Sequence, residues 1–206
     1  MSITSYSTLK SAVADFLLRS DLTSVIPTFI SLAEADMNRR LRHWRMEGRS
    51  TATLDTQYSV MPADFLEAIR YKLLANPPIS MELISQAEMS DRRAKYNDTA
   101  GAPQYYAVTG GQFEVFPTPD SAYTSELSYY KRTAPLSDSN VDNWALTYHP
   151  DVYLYGTLAA SAPYLQDDQR LNVWAALYQN AVDGINNEGQ SAKYGGSGLR
   201  MKIRSY

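Results

Sequence analysis

The sequence predicts an α+β fold: a helical bundle formed from the N- and C-terminal helices, with a β-rich insertion and an extended C-terminal arm. Three observations lead to this prediction. Apolar residues recur at helical spacings of three and four over residues 8–46 and 144–193. Residues 49–132 between them alternate with a period of two, as strands do. A glycine-rich stretch follows the last helix, so we predict a single domain over residues 1–193 and an arm over residues 194–206.

Two helices are predicted at the N-terminal end. Ser7 is the candidate cap of the first, over about residues 8–19. The second runs from about Val25 to Trp44, and Pro27 lies in its first turn, where proline is tolerated. Its apolar residues recur at spacings of three and four: Ile26, Ile30, Ala33, Met37, Leu41 and Trp44.

Arginines cluster at the end of this second helix: Arg39, Arg40, Arg42 and Arg45, with Arg49 just beyond. Positive charge suits the negative end of the helix dipole, which explains the cluster without any partner. The same cluster could form an interface with an acidic partner or with a passing phosphate backbone. The sequence leaves both interpretations open.

The central region contains seven strand-like runs: 49–54, 57–60, 65–74, 79–83, 104–109, 112–116 and 123–132. Gly110-Gly111 separates two of these runs and indicates a tight hairpin. Ser85 and Glu88 have the spacing of a capping box, so a short helix is predicted to begin there and to end near Asn97.

Helical patterning returns at Asn143 and continues to residue 193. We predict that Pro163 kinks or ends one helix and that Asp167-Asp168 caps the last one, which should pack against the second helix. Gly156, Ala159 and Ala160 are small enough to allow a neighbouring element to approach closely.

Composition excludes several classes of protein. A net charge of -3 and a pI near 5.4 argue against coating nucleic acid, which needs an excess of cations. The absence of cysteine excludes disulfides and thiolate metal sites. We find neither a signal peptide nor an apolar run long enough to span a bilayer. The 16 tyrosines, against 5 phenylalanines, suit either protein interfaces or strands.

Candidate catalytic groups are few. His43 and His149 are the only imidazoles, and the neighbouring arginines should lower the pKa of His43. Asp64 and Glu67 could form an acid and base pair, but a turn leading into a strand explains them better. Residues 195–198 lack the lysine of a phosphate-binding loop. We therefore predict no catalytic site, no cofactor and no metal site.

The final residues have the pattern of a strand. Leu199, Met201 and Ile203 alternate with Arg200, Lys202 and Arg204, and Tyr206 ends the chain. Such a segment could add a strand to the sheet edge of a partner. An ordinary frayed terminus is the alternative.

Several motifs, in order along nearly the whole chain, resemble the head-to-tail adaptor proteins of short-tailed and some long-tailed bacteriophages, also called connector or neck proteins. No motif is a catalytic signature, and their order carries the resemblance. They lie at residues 22–30, 32–34, 41–42, 62–67, 103–108, 116–120, 129–130, 136–138, 143–144 and 150–156.

The resemblance implies a ring, normally of twelve copies, beneath the portal protein of the capsid. The arm (Leu199, Arg200, Met201, Lys202, Ile203, Arg204 and Tyr206) would bind the portal, and the β-rich part would face the tail or nozzle. Double-stranded DNA would pass through the lumen with transient, non-specific contact, and the five arginines would lie at the subunit interface or in the lumen. The expected location is the head-tail interface of the virion, after assembly in the host cytoplasm, with no membrane partner. A virion-associated peptidoglycan hydrolase and a non-viral protein-binding module are the alternatives.

Overall fold

The computed structural model describes residues 2–19, 21–165 and 170–194. These residues form six α-helices: α1 (Tyr6–Leu17), α2 (Ile26–Arg40), α3 (Gln86–Lys95), α4 (Trp144–Tyr148), α5 (Pro150–Ala160) and α6 (Arg170–Tyr194). They also form seven strands: β1 (Glu47–Leu54), β2 (Tyr58–Val60), β3 (Phe65–Leu73), β4 (Ile79–Leu83), β5 (Tyr105–Thr109), β6 (Gln112–Phe116) and β7 (Tyr123–Lys131). None of the helices described has both the length and the apolar character needed to cross a bilayer.

The chain divides into two compact units. Residues up to Met46, together with those from Thr133 onward, form a helical unit, and Glu47–Arg132 form a β unit that also contains α3. A domain can consist of more than one compact unit, so the domain predicted over residues 1–193 stays a prediction.

Helix α5 lies at the centre of the helical unit and packs against α1, α2, α4 and α6. Because neighbours surround it, it is apolar on most sides: Val152, Tyr153, Leu154 and Leu158 are all buried. The last helix packs mainly against α5, and it also contacts the second helix, as the sequence predicted, through Tyr178.

Gly156 allows α5 to approach both of its larger neighbours. A Cβ at this position would lie 2.9 Å from Cε2 of Tyr178 on α6 and 3.3 Å from Cβ of Ala33 on α2. The Tyr178 ring is held in place, because its hydroxyl donates a hydrogen bond of 2.8 Å to Asp36. The close approach predicted at Gly156 is confirmed.

Glu34 of α2 is a buried carboxyl that fixes the segment leading into α4. It accepts hydrogen bonds from the Leu136 backbone N–H at 2.7 Å and from the Tyr153 hydroxyl at 3.1 Å. Burial raises the pKa of Glu34 above its usual value, although both hydrogen bonds act in the opposite direction.

The β unit is a single seven-stranded sheet in the order β1-β7-β3-β4-β5-β6-β2. All neighbouring pairs are antiparallel except β4 and β5, which are parallel and connected through α3. Its two edge strands, β1 and β2, are joined by residues 55–57 alone, so the sheet curls into a nearly closed, barrel-like form. Its interior is apolar and aromatic: Leu54, Tyr71, Leu73, Met81, Tyr106, Phe113, Val115, Leu127 and Tyr129.

A buried ion pair attaches α3 to this sheet. The Arg93 guanidinium donates to Glu114 of β6 at 3.0 Å and to the Val115 carbonyl at 2.7 Å. Gln57 and Gln86 donate to the same Glu114 carboxylate at 3.0 and 2.8 Å. This hydrogen bonding compensates for the burial of Glu114 and keeps its pKa below the usual value.

The predicted architecture, a helical bundle with a β-rich insertion, is wrong. The fold is mixed α/β, with six helices and a nearly closed sheet that encloses its own apolar core. The period-two pattern identified the separate strands but not their closure, because alternation shows that one face is buried and not what covers it.

The element boundaries predicted from the sequence agree with the structure in the β unit and differ from it in the helices. All seven strand runs form strands, and Ser85 caps α3 as predicted. Helix α1 begins two residues earlier than predicted, and its cap is Ser5, which shares a capping box with Thr8. Helix α2 ends at Arg40 rather than Trp44. The predicted cap at Asp167-Asp168 lies outside the described residues.

We expect Gly156→Ala to destabilise the protein by about 1–3 kcal/mol, because the added methyl group would collide with a hydrogen-bonded ring. Gly184→Ala is the matched control: this glycine is also helical, and no atom lies within 4 Å of the position of its Cβ. The control should be stabilised by about 0.5–1 kcal/mol. Urea unfolding measures both, and equal effects would contradict the packing described.

Stability should fall with rising pH through the ionisation of Glu34. Because its pKa is raised in the folded chain, its contribution is complete below the usual value of 4.5 and is lost as the pH rises through the folded value. The loss is about 1.4 kcal/mol for each unit by which the pKa is raised. Urea unfolding from below pH 4.5 to neutral pH should show wild type losing stability relative to Glu34→Gln. A constant difference, or one of opposite sign, would rule out this explanation.

Candidate interaction surface at the end of helix α2

Helix α2 ends where one side chain from α6, Asn186, provides hydrogen-bonding partners for the backbone. Leu41 leaves the helix with extended dihedral angles, although its N–H still donates to Met37 at 2.8 Å. Asn186 of α6 then accepts from the Arg42 N–H at 2.9 Å and donates to the Arg40 carbonyl at 3.1 Å. This pair of hydrogen bonds, which we call the Asn186 clamp, holds residues 40–42 against α6.

The arginines of the helix end have partners within the chain. Asp36 pairs with Arg39 at 3.1 Å and with Arg40 at 3.2 Å. Burial of Asp36 is outweighed by hydrogen bonds from Tyr178 and the two arginines, so its pKa is lowered. The Arg42 guanidinium donates to the carbonyls of Asn38 and Leu41, at 3.2 and 2.7 Å, and so caps the end of the helix.

Arg45 lies between two exposed aromatic rings. Its guanidinium carbon is 4.3 Å from the ring centroid of Trp44 and 3.7 Å from that of Tyr148. These rings are 40% and 55% exposed. The arrangement, which we call the Trp44–Arg45–Tyr148 stack, places a cation against two aromatic rings.

Arg49 belongs to the β unit. The other four predicted arginines lie together in the helical unit, at the end of α2. Arg49 lies on β1 and lines an open depression of about 540 Å³ with Arg70, Lys72 and Glu126. Lys72 pairs with Glu126 at 2.8 Å. This face of the sheet is therefore mixed in charge.

His43, His149 and Glu188 meet beside the Asn186 clamp. The Nε2 atoms of His43 and His149 each lie 3.7 Å from an oxygen of the Glu188 carboxylate. His43 is fully buried and stacks on Trp144 with ring centroids 5.2 Å apart. The pKa of His43 is lowered as predicted, but burial is the largest cause and Arg45 a smaller one.

Asp64, one member of the candidate acid and base pair, has a structural role. Asp64 accepts a hydrogen bond of 2.9 Å from the Tyr129 hydroxyl and precedes β3, and Glu67 lies within that strand. Burial, together with Asp64, raises the pKa of Tyr129 to about 12. The turn leading into a strand is therefore confirmed. The arm residues, and the glycine-rich residues 195–198, lie outside the described part of the chain.

The family model for the SU10 adaptor protein matches residues 4–201. The chain belongs to the SU10 adaptor protein family. It is thus a phage adaptor, which makes it a virion component with a structural role. No curated protein matches the chain.

Sequence reasoning missed the contacts that organise this surface of the adaptor. Asn186 lies 144 residues from Arg42 and Glu188 is similarly distant from His43, so no local pattern connects them. One weak signal was present in the sequence: Gly189 lies inside the last helix, where glycine is unfavourable. A Cβ there would lie 3.1 Å from Cδ2 of His43 and 3.2 Å from the Arg42 carbonyl oxygen. Gly184 lies in the same helix with no atom within 4 Å of its Cβ position, so glycine alone did not identify the contact.

We expect Asn186→Ala to destabilise the adaptor by about 1–3 kcal/mol, because it leaves two backbone groups without their partner. Asn187→Ala is the matched control, since Asn187 is exposed on the same helix and its loss should change stability by less than about 0.5 kcal/mol. Urea unfolding gives both values. Two equally stable variants would show that the clamp contributes little.

Proposed function

We propose that this adaptor forms a ring of twelve copies that joins the portal of the capsid to the tail or nozzle, with double-stranded DNA passing through the lumen. The observation that carries the proposal is the match to an adaptor family over residues 4–201. The resemblance of ordered motifs to head-to-tail adaptors supports the finer assignment to the neck of the virion.

Ring closure by rotation requires two different contact faces on one subunit. The Trp44–Arg45–Tyr148 stack suits one face, because tryptophan, tyrosine and arginine dominate the binding energy of protein interfaces. On α6, Val173 and Leu177 are 57% and 37% exposed at a spacing of one helical turn, which suits a second contact. We place the predicted arginine cluster at such a subunit interface or in the lumen.

Passage of DNA requires weak contact with phosphate. Salt-dependent binding grows with the number of cations that displace counterions from the duplex. Here the net charge is -3, and Arg39 and Arg40 already pair with Asp36. These features support transient, non-specific contact with double-stranded DNA rather than tight binding.

The C-terminal arm is the proposed contact with the portal protein. Its alternating sequence would place Leu199, Met201 and Ile203 on one side of an added strand and its cations on the other. Ordering such a segment costs conformational entropy, which its apolar contacts would offset. Twelve arms acting together would give high avidity even when each one binds weakly.

The arm is tested by deleting residues 195–206 and mixing the truncated adaptor with portal rings of the same phage. We expect the truncation to abolish stable association, measured by sedimentation and by negative-stain microscopy. Two point-variant sets separate the contributions of the arm: Leu199→Ser, Met201→Ser and Ile203→Ser together, and Arg200→Ser, Lys202→Ser and Arg204→Ser together.

The apolar set should lose portal binding at every salt concentration, because it removes the buried face. The cationic set should weaken binding mainly at low salt, where exposed charges act most strongly. If the truncated adaptor still forms stoichiometric rings on the portal, the arm is not the portal contact.

A further inference from the structure

We propose that His43, His149 and Glu188 bind a divalent transition-metal ion of the Zn²⁺ class. This proposal goes beyond the ring and its partners, and it departs from the sequence analysis, which predicted no metal site. The three side chains come from three parts of the helical unit: the segment after α2, the junction of α4 and α5, and α6.

The set of donor atoms is suited to zinc. Two imidazole nitrogens and one carboxylate are a common three-residue zinc set, with the fourth position taken by water. The donor atoms all lie within 4.8 Å of one another. Within the described residues, this group alone brings three histidine or acidic side chains so close together.

The distances fit a metal better than they fit hydrogen bonds. Each Nε2 to carboxylate distance is 3.7 Å, beyond the usual 2.7–3.2 Å of a hydrogen bond. Donor atoms at about 2.0–2.2 Å from a tetrahedral zinc are about 3.4 Å apart. A small movement of the three side chains would therefore complete the coordination.

Two buried nitrogens of this cluster lack a hydrogen-bonding partner in the described part of the chain. Within the described residues, neither Nε2 of His43 nor Nε2 of His149 has a hydrogen-bonding partner, although both atoms are buried. A buried polar atom without a partner is costly, and coordination of a metal would satisfy both.

The surrounding structure positions the ligands. The Asn186 clamp fixes the segment that carries His43, and Gly189, the residue after Glu188, lets that segment come close to α6. His149 sits between α4 and α5, where its N–H donates to the Ala145 carbonyl at 2.8 Å. Glu188 is 53% exposed, so one of the three ligands borders solvent.

One contact opposes metal binding. The Arg45 N–H donates to Nδ1 of His43 at 3.3 Å, which favours the tautomer with its proton on Nε2. Coordination through Nε2 requires the other tautomer and the loss of this hydrogen bond. At 3.3 Å the bond is long and weak, so its loss opposes coordination only slightly.

The test uses the full-length adaptor without a polyhistidine tag, stripped with a chelator and titrated with ZnCl₂ by calorimetry. We expect one Zn²⁺ per chain and a higher melting temperature in its presence. Glu188→Gln, at a half-exposed position, should fold normally and bind at least about tenfold more weakly. His149→Ala should remove saturable binding. Asp183→Asn is the matched control, with the same charge change on the same helix, and should bind as wild type does.

Binding of Co²⁺ gives a second measurement, because its visible absorption reports ligand identity and should change in Glu188→Gln. The proposal is overturned if wild type shows no saturable binding, or if Glu188→Gln binds Zn²⁺ as wild type does. It is also overturned if Zn²⁺ has no effect while stability follows pH through the imidazole range. That outcome would show that the Glu188 carboxylate only pairs with the two histidines and does not bind a metal with them.

Discussion

The Asn186 clamp is the contact on which the surface at the end of α2 depends. Two hydrogen bonds from one side chain terminate the helix at Arg40 and hold the next residues against α6. The apolar spacing of the sequence continues to Trp44, yet the helix ends at Arg40, where these hydrogen bonds begin. The residue after the clamp, His43, and then Trp44 and Arg45, owe their positions to this early termination.

The clamp works because two glycines allow helices of the same unit to approach closely. Gly156 lets α5 lie between α2 and α6, and Gly189 lets the segment after α2 reach α6. Side chains then bridge the helices, as the Tyr178 hydroxyl does to Asp36. Close packing and the polar contacts thus have the same requirement: the helices must lie near one another.

Local patterns in the sequence predicted the separate helices and strands but not how these elements assemble. The strands were predicted because alternation and the Gly110-Gly111 turn are local, and both glycines have the positive φ angles that the hairpin requires. The closure of the sheet was not predicted, because it depends on which strands pair across the unit. Similarly, His43 and His149 were recognised as isolated residues, but Glu188 joins them only in the fold. Ser5 was missed because Thr8, and not an acidic residue, completes its capping box.

The charged side chains connect the fold to its proposed use. The proposed function has DNA passing through the adaptor, and cations that bind phosphate strongly would slow that passage. Arg39 and Arg40 are held by Asp36, and Arg45 lies between two aromatic rings. Each of these arginines thus has contacts in the folded chain, and Asp36 partly balances the charges of Arg39 and Arg40 before any partner arrives. Such a surface can contribute shape and aromatic area to a neighbouring subunit while it offers little to a phosphate backbone.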